Sequence, residues 1–427
     1  MTCPGGSDHD ANAADGTVSG DNPGKDQVAV AGGRSVSGST EWHDAREIAA
    51  AAASVLPSER VGLSAAIGRV LAEPLHALIN VPHYASSAMD GWAVSGAGPW
   101  RLHPRGGRLT PGSARVVVTG ELIPVGCDAV LRSESGTVRP GDDGLELVST
   151  STSGEPHPGQ HIRPIAGEAA KSETLIEAGI LLNPAHIAVS AVSGHDLLTV
   201  VQRPRVALVF TGDEVTQHGI PEPGMVRDSF GPQLPALFGM LGAIVTSRQR
   251  VADTLAATIS AMTAAPAESD LLVTTGGTGD SAVDHLHVAL RAIGAEILIH
   301  RVAMRPGGPT MLARLPDGRL LIALPGNPLA AMLGLLTLVC PLIATLRGRA
   351  VAVPDSITVA DRLDGRPGTT MLVPYRIEDG RAVANGWLGS GMMRGLAGAA
   401  GVVVVPPAGI DRAHFAEVVA LPWVTRL

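Results

Sequence analysis

Three short stretches hold residue types that could do chemistry together: Thr211-Gly212-Asp213-Glu214, Thr275-Gly276-Gly277-Thr278-Gly279-Asp280 and Pro325-Gly326-Asn327-Pro328. Their glycines let backbone N–H groups turn toward a guest with no Cβ in the way. The neighbouring carboxylates, Glu214 and Asp284 first among them, are hard oxygen ligands suited to a divalent cation. Donors and carboxylates side by side fit a phosphate-bearing ligand carrying a metal ion. Arg301 and Arg305 flank the end of a strand, where guanidinium forks would hold phosphate or a tetrahedral oxyanion. Each feature alone has a plainer alternative. Glu214 could be a carboxylate at a helix N-terminus, Asp284 an N-cap, the two prolines helix-entry residues, and the arginines solvated surface charges. His285 and His287 lie two apart on a helix and so on different faces, which argues against a shared metal. The chain carries neither GxxxxGK[ST] nor GxSxG, which disfavours a P-loop nucleotidase or an α/β-hydrolase.

These loops need elements that bring them together. Each follows a short apolar run: RVALVF from Arg205 to Phe210, LLVTT from Leu271 to Thr275, and LLIAL from Leu320 to Leu324. Between them run helical patterns with Leu234, Leu237, Phe238 and Leu241, then Leu255, Ile259 and Met262, then Leu286, Leu290 and Ile293. Further strands are expected over Ala243–Thr246 and Glu296–Met304. Alternating strand and helix predicts a doubly wound parallel sheet over residues 204–349, with right-handed crossovers. The carboxyl ends of its strands share one edge, and ligands bind there. Convergence of three unusual loops on that edge is more specific than any one of them.

Around this domain the chain changes character. Residues 1–40 are rich in Gly, Ser, Ala, Asp and Asn and read as a disordered tail. Helical patterns follow, one with Ile48, Ala52 and Val55 on a face and a second over Leu63–Leu75, and another lies near Pro184–Ser193. Residues 41–78 and 170–203 therefore read as a helical segment split by an insert. That insert, residues 79–169, is dominated by glycine, proline and β-branched residues and reads as β-rich. Residues 350–427 hold short strand-like runs separated by turn signals, as in a small β-barrel or sandwich.

Composition narrows the function. Hydrophobic content of 45% with 17% charged residues describes a multidomain globular chain. Aromatic content of 3% and a net charge of −8 disfavour nucleic acid as a partner. Three well-separated cysteines without a CxxC fit reduced thiols in the cytoplasm and no structural zinc. Leu320–Leu346 holds no charged residue and is long enough to suggest a membrane span. Its prolines and its strand-like first part favour a helix buried in a fold, and no signal peptide is apparent at the N-terminus.

Taken in order, SAMDGWAV (Ser87–Val94), VTGELIPVGCDAV (Val118–Val130), TGDEV (Thr211–Val215), TTGGTGDSAVDH (Thr274–His285), MRPGGP (Met304–Pro309) and LPGNPLAA (Leu324–Ala331) resemble the molybdopterin molybdenumtransferases, the MoeA family that includes the E domain of gephyrin. The resemblance runs from about residue 43 to the C-terminus. It implies a four-part homodimer: a split helical segment, an inserted β-rich domain, a molybdopterin-binding α/β domain and a C-terminal β-barrel. It also implies transfer of molybdenum from molybdate into adenylylated molybdopterin, with release of AMP and with Mg²⁺ assisting. The site implied lies between the α/β domain of one subunit and the inserted domain of the other. Carried over by residue, Asp90, Thr119, Glu214, Asp253 and Asp284 would be catalytic, with Asp90, Glu214 and Asp284 on the metal. Thr211, Gly212, Thr275, Gly276, Gly277, Thr278, Gly279, Arg301, Arg305, Pro325, Gly326, Asn327, Pro328 and Ser390 would bind molybdopterin and its anionic groups. The partners implied are a molybdopterin adenylyltransferase and apo-molybdoenzymes.

This chain departs from the family pattern at definite points. Arg301 and Arg305 stand where the family has lysines, Gly308 replaces the second lysine of its KPGKP motif, Ala169 an acidic residue, and Phe230 an asparagine. These departures motivate a competing reading, a non-catalytic paralogue that binds molybdopterin or a partner as carrier or scaffold. A third reading is a hydrolase of a related pterin or nucleotide pyrophosphate.

Overall fold

The structure, a computed structural model, describes residues 38–104, 106–142, 144–278 and 285–424. The expected tail, apart from its last three residues, therefore lies outside the described residues, as do Gly279, Asp280 and Asp284.

Six strands form the central sheet, in the order Ile244–Arg250, Arg205–Phe210, Leu271–Thr275, Leu320–Leu324, Met311–Arg314, Glu296–Ile299. The first four are parallel. Both faces of the three inner parallel strands are covered, which is why they read as nearly continuous apolar runs, whereas the edge strand Ile244–Arg250 is largely polar and partly exposed. Val206, Leu208, Leu271, Val273, Leu320 and Ile322 point into one core with Phe238 and the long C-terminal helix of the domain. Ala207, Leu272, Leu321 and Ala323 point into the other with Met262, Leu286 and Leu290. The expectation of a wholly parallel sheet is corrected at its far edge, where Met311–Arg314 and Glu296–Ile299 run antiparallel. Pro316-Asp317-Gly318 turns Met311–Arg314 back onto Leu320–Leu324, with Gly318 at φ +89°. The run expected as one strand over Glu296–Met304 breaks after Ile299. Met304–Arg305 instead pairs in parallel with Thr370–Met371 of the C-terminal sheet.

The helical run Pro328–Leu346 is long and apolar enough to cross a membrane, yet 83% of its apolar window is buried inside the structure, as in a core helix. It widens into a π-turn over Leu335–Val339, ahead of Pro341. Proline has no N–H, and its ring would strike the carbonyl four residues back in a regular helix. In the wider register the carbonyl left without its donor is that of Leu336, and Arg46 donates to it at 3.0 Å. Arg46 comes from the helix Trp42–Ala51, whose Trp42, Ala45 and Ala49 are buried against this core. The Trp42 indole N–H donates to Thr337 at 3.0 Å. The face expected from Ile48, Ala52 and Val55 is thus not the packed one, and Ile48 and Val55 are exposed.

The second expected helix, Leu63–Leu75, is reduced to Leu63–Ala66, whereas Pro184–Val192 is helical with an Asn183 capping box. Strand Ser58–Gly62 pairs with Leu197–Val201, and a small core of Leu71, Leu75, Ile176, Leu182, Leu198 and Val200 joins chain from both sides of the insert. The insert carries a six-stranded sheet in the order Ala129–Arg132, Gly91–Ser95, Ser113–Val117, Trp100–Leu102, Gly144–Ser149, Gly136–Gly141. In the C-terminal sheet Thr370–Glu378, Gly401–Val405, Phe415–Ala420 and Asp355–Thr358 follow one another in antiparallel pairs, and Arg381–Ala384 adds to Thr370–Glu378. One bridge, Val359 to Ala382, brings its two ends together.

Candidate active site

The three loops meet where the central strands end. Strand Arg205–Phe210 runs beside Leu271–Thr275, and Thr211 just beyond it donates its hydroxyl to the Thr275 carbonyl at 2.8 Å and its N–H to the same oxygen at 3.2 Å. Gly276 in turn donates its N–H to the Leu324 carbonyl at 2.9 Å. A Cβ on Gly326 would lie 3.7 Å from the Cα of Gly276, so the second and third loops touch at their glycines. Gly212, Gly276 and Gly277 take φ of +115°, +88° and +66°, the left-handed region that glycine enters without strain. A side chain at Gly276 would also run into the Thr211 hydroxyl.

Asp253 holds the first loop. Gly212 and Asp213 donate their N–H groups to its two carboxylate oxygens at 3.1 and 3.3 Å, and the Asp253 N–H returns a bond to Asp213 at 3.3 Å. Both Asp253 oxygens therefore organise backbone. Glu214 is exposed, and its carboxylate folds back to 3.2 Å from where a Gly212 Cβ would sit. It precedes a two-residue strand, Val215–Thr216, so the alternative of a helix N-terminal carboxylate does not apply. Behind the loops Thr274, Asp253, Thr258 and His285 line a cavity of about 20 Å³, room for one water. The Thr274 hydroxyl is buried there without a hydrogen-bond partner, a feature the sequence reading missed. Only a polar residue inside an otherwise apolar strand signalled it.

Pro328 is the first residue of its helix and Asn327 the N-cap, as a helix-entry motif requires. The Asn327 side chain makes no capping bond. Instead the Ser390 carbonyl accepts the Ala330 N–H at 3.0 Å, which carries the segment around Ser390 onto the mouth of the third loop. Arg305 is exposed, and among the described residues its guanidinium has no hydrogen bond or ion pair. Arg301 is half-buried. His285 and His287 diverge, His285 toward the cavity and His287 onto the ring of His300 at 4.6 Å.

Asp90 and Thr119 form a pair on the inserted sheet. Thr119 donates its N–H and hydroxyl to one Asp90 oxygen at 2.7 and 2.9 Å. The backbone bond first, then the hydroxyl, hold the Asp90 carboxyl below the usual carboxylate range. Gly91 beside it is required, since at φ +152° its Cβ would enter the Leu131 carbonyl. Among the described residues the Asp90 carboxylate bonds only to Thr119, so within one chain this pair is not joined to the central loops.

Among the described residues no three His, Cys, Asp or Glu side chains gather closely enough to cage a metal ion. The donor set at the loops is a rim of amides with Glu214, which does not make a resident metal site. Mg²⁺ is characteristically held by one or two carboxylates together with substrate phosphates.

The comparisons with known proteins bear on this amide-lined edge. The molybdopterin molybdenumtransferase of Nostoc sp. is 33% identical over 313 residues, covering 69% of this chain and 70% of that protein. The chain belongs to the molybdopterin molybdenumtransferase family. The enzyme of that name from Staphylococcus aureus is 30% identical over 323 residues, covering 71% of this chain and 75% of its own. Residues 40–194 match the model of the MoeA N-terminal region (domain I and II), and residues 207–345 that of a probable molybdopterin binding domain. A MoeA protein from Pyrococcus horikosii shares the fold, with a TM-score of 0.74 at 23% identity over 90% of this chain and 99% of that one. Within this chain, the three loops fall inside the segment that matches the molybdopterin-binding model, and Asp90 with Thr119 inside the N-terminal one.

Proposed function

We propose that this protein transfers molybdenum from molybdate into adenylylated molybdopterin and releases AMP, completing the molybdenum cofactor. The observation that carries the reading is the junction of the three glycine loops, whose backbone is fixed by Asp253 and the Leu324 carbonyl, which accept from loop amides, and by the Thr211 hydroxyl, which donates to the Thr275 carbonyl. A frame held in this way would present the remaining loop N–H groups, such as that of Gly277, to phosphate or molybdate oxygens without reorganising during reaction. Arg305 adds an uncommitted cation. In the step proposed, water attacks the pterin-side phosphorus, the phosphoanhydride bond breaks and AMP departs with the bridging oxygen, while the pterin's two thiols bind molybdenum and one molybdate oxygen leaves with their protons as water. Glu214 is the carboxylate that would help to hold a Mg²⁺ ion brought by the substrate phosphates, and such an ion would supply electron withdrawal from the anhydride.

We further propose a homodimer in which Asp90 and Thr119 of one copy complete the loops of the other, since their own sheet commits them to neither. The four-part division with a C-terminal barrel, a cytoplasmic setting, and an adenylyltransferase and apo-molybdoenzymes as partners belong to the same reading.

The test is cofactor synthesis by the purified protein with adenylylated molybdopterin, Mg²⁺ and molybdate, read as activation of a molybdenum-free apo-enzyme together with AMP release. Both signals should require molybdate. Tight pterin binding with no AMP release would replace the transferase with a carrier, and AMP release without molybdate would indicate a hydrolase.

A further inference from the structure

The segment that carries Ser390 onto the third loop has an aromatic residue with no structural reason to be where it is. Trp387 is 52% exposed and stands at φ +57°, a conformation in which a bulky side chain is an outlier. The turn is imposed from both sides. Asn385, itself buried, donates its side-chain amide to the Gly395 carbonyl at 2.7 Å, and Gly395 is packed so tightly on the Gly386 carbonyl that no Cβ would fit. Strain of this kind persists where the surroundings over-determine it, and it concentrates at ligand sites.

The ring is also prepared on one side. The Arg394 guanidinium lies over it at 4.0 Å from the centroid. Among the described residues Arg394 has no ion pair or hydrogen bond, so its charge is not spent elsewhere. Leu388 and Met392, 42% and 50% exposed, add apolar surface to the same segment. Three residues along, Ser390 caps the helix that follows Pro325-Gly326-Asn327-Pro328, and Gly391 comes within 3.6 Å of the Asn327 side-chain oxygen as judged from its Cβ position. Three residues of extended chain span at most roughly 11 Å, about the length of a nucleoside.

The geometry points to Trp387, backed by Arg394, as a shelf on which a planar nitrogen heterocycle of the substrate stacks while its anionic tail reaches the glycine loops. This rests on the transferase reading, whose substrate carries two such rings, the pterin and the adenine. Stacking of a heterocycle on an exposed indole is sequence-tolerant and strong, because both faces of the contact are flat and the ring of the shelf is already fixed. A guanidinium beneath the indole adds a positive charge near the phosphates without having to touch them.

The experiment measures binding of AMP, neopterin and ribose 5-phosphate to the full chain and to Trp387→Ala, Trp387→Phe and Arg394→Leu by calorimetry. We expect Trp387→Ala to weaken either AMP or neopterin by about tenfold or more, Trp387→Phe to recover most of it, and Arg394→Leu to cost a few-fold on the same ligand. Ribose 5-phosphate, which has no ring to stack, should bind alike to all four proteins. Whichever ligand responds identifies the ring on the shelf. Unchanged affinity for both heterocycles in Trp387→Ala overturns the shelf, and if the parent protein makes cofactor normally the transferase reading survives that result. A parent protein that binds neither heterocycle and makes no cofactor overturns both. If Trp387→Ala does not fold, Arg394→Leu leaves the turn intact and decides the question by the same comparison.

Discussion

Changing Gly276 to alanine tests whether the loop junction is held as described. Two costs can be worked from the geometry. Alanine at φ +88° sits in the left-handed region, which costs an L-residue about 1–2 kcal/mol. Its Cβ would also displace the Thr211 hydroxyl and break the 2.8 Å bond to the Thr275 carbonyl, about 1 kcal/mol more. The sum, about 2–3 kcal/mol, should appear as faster opening of the strand end, because Gly276 donates its own N–H to Leu324. Hydrogen exchange read on a peptide covering Leu271–Thr278 suits a multidomain chain better than a global melt, which would not be two-state. It should accelerate by roughly thirty- to a hundred-and-fiftyfold, at about 1.4 kcal/mol per factor of ten. Thr211→Ala alone loses only the hydroxyl bond and should accelerate exchange about fivefold. The double variant decides the mechanism, because the clash and the lost bond are one event. It should open no faster than Gly276→Ala, so the two effects fall short of additivity by about 1 kcal/mol. Additive effects, or a Gly276→Ala protein that exchanges like its parent, would refute the described contact between the loops.

Two further outcomes follow from other parts of the molecule. Thr119→Val removes the hydroxyl bond to Asp90 but keeps the larger backbone one, so the Asp90 carboxyl should titrate at higher pH than in the parent while staying below the ordinary range, as followed by NMR. Because the folded-state value is lowered, the stability tied to Asp90 is present above the ordinary carboxylate pKa and is lost as pH falls through the lowered one. The variant should therefore show a smaller acid-induced loss from this group. Arg46→Leu should leave the Leu336 carbonyl without a donor in the π-turn, at about 1–3 kcal/mol. Faster hydrogen exchange on a peptide covering Leu335–Leu342 with unchanged AMP affinity is expected, and unchanged exchange would show that the carbonyl finds another partner.

The parts of the fold that were legible in the sequence are those where backbone demand and residue type coincide. Glycine clusters at the ends of fully buried apolar runs marked the loops that meet at the strand ends, because glycine alone enters the left-handed turns found there without strain. Pro328 marked a helix start for the same local reason. What escaped depended on packing. The buried stripe of the first helix is Trp42, Ala45 and Ala49, two of them too small to stand out beside Ile48 and Val55, which are left exposed. The antiparallel edge was announced by Leu315-Pro316-Asp317-Gly318 between apolar runs, a turn signal that the expectation of βαβ crossovers overrode. The binding role of Asp253 toward Gly212 and Asp213 has no local signature, since it joins residues about forty apart in the chain.

The departures from the family pattern follow the same division. Phe230 replaces an asparagine, and its side chain is buried in the main core, while Asp228 caps the helix it begins and pairs with Arg250 at 2.7 Å. Packing, not ligand chemistry, accounts for that residue here. Ala169 is 3% exposed in a bridge with Val81, a place where an acidic side chain would need a partner to be buried. Gly308 differs in kind. Its N-terminal neighbour Gly307 lies against the Ala330 carbonyl, and a Cβ on Gly308 would stand 3.1 Å from the Met304 carbonyl, so a lysine would require the loop to give by a few tenths of an ångström. The loop after Arg305 is thus built close to the backbone it covers, and the cation that the family places on it has no room without movement. Among the described residues Arg305 within this loop and Arg394 over the Trp387 ring carry guanidinium groups with no hydrogen bond or ion pair. On the function proposed above, a flat, delocalised guanidinium in each place, rather than a compact ammonium, would meet the anionic substrate through a planar fork of donors.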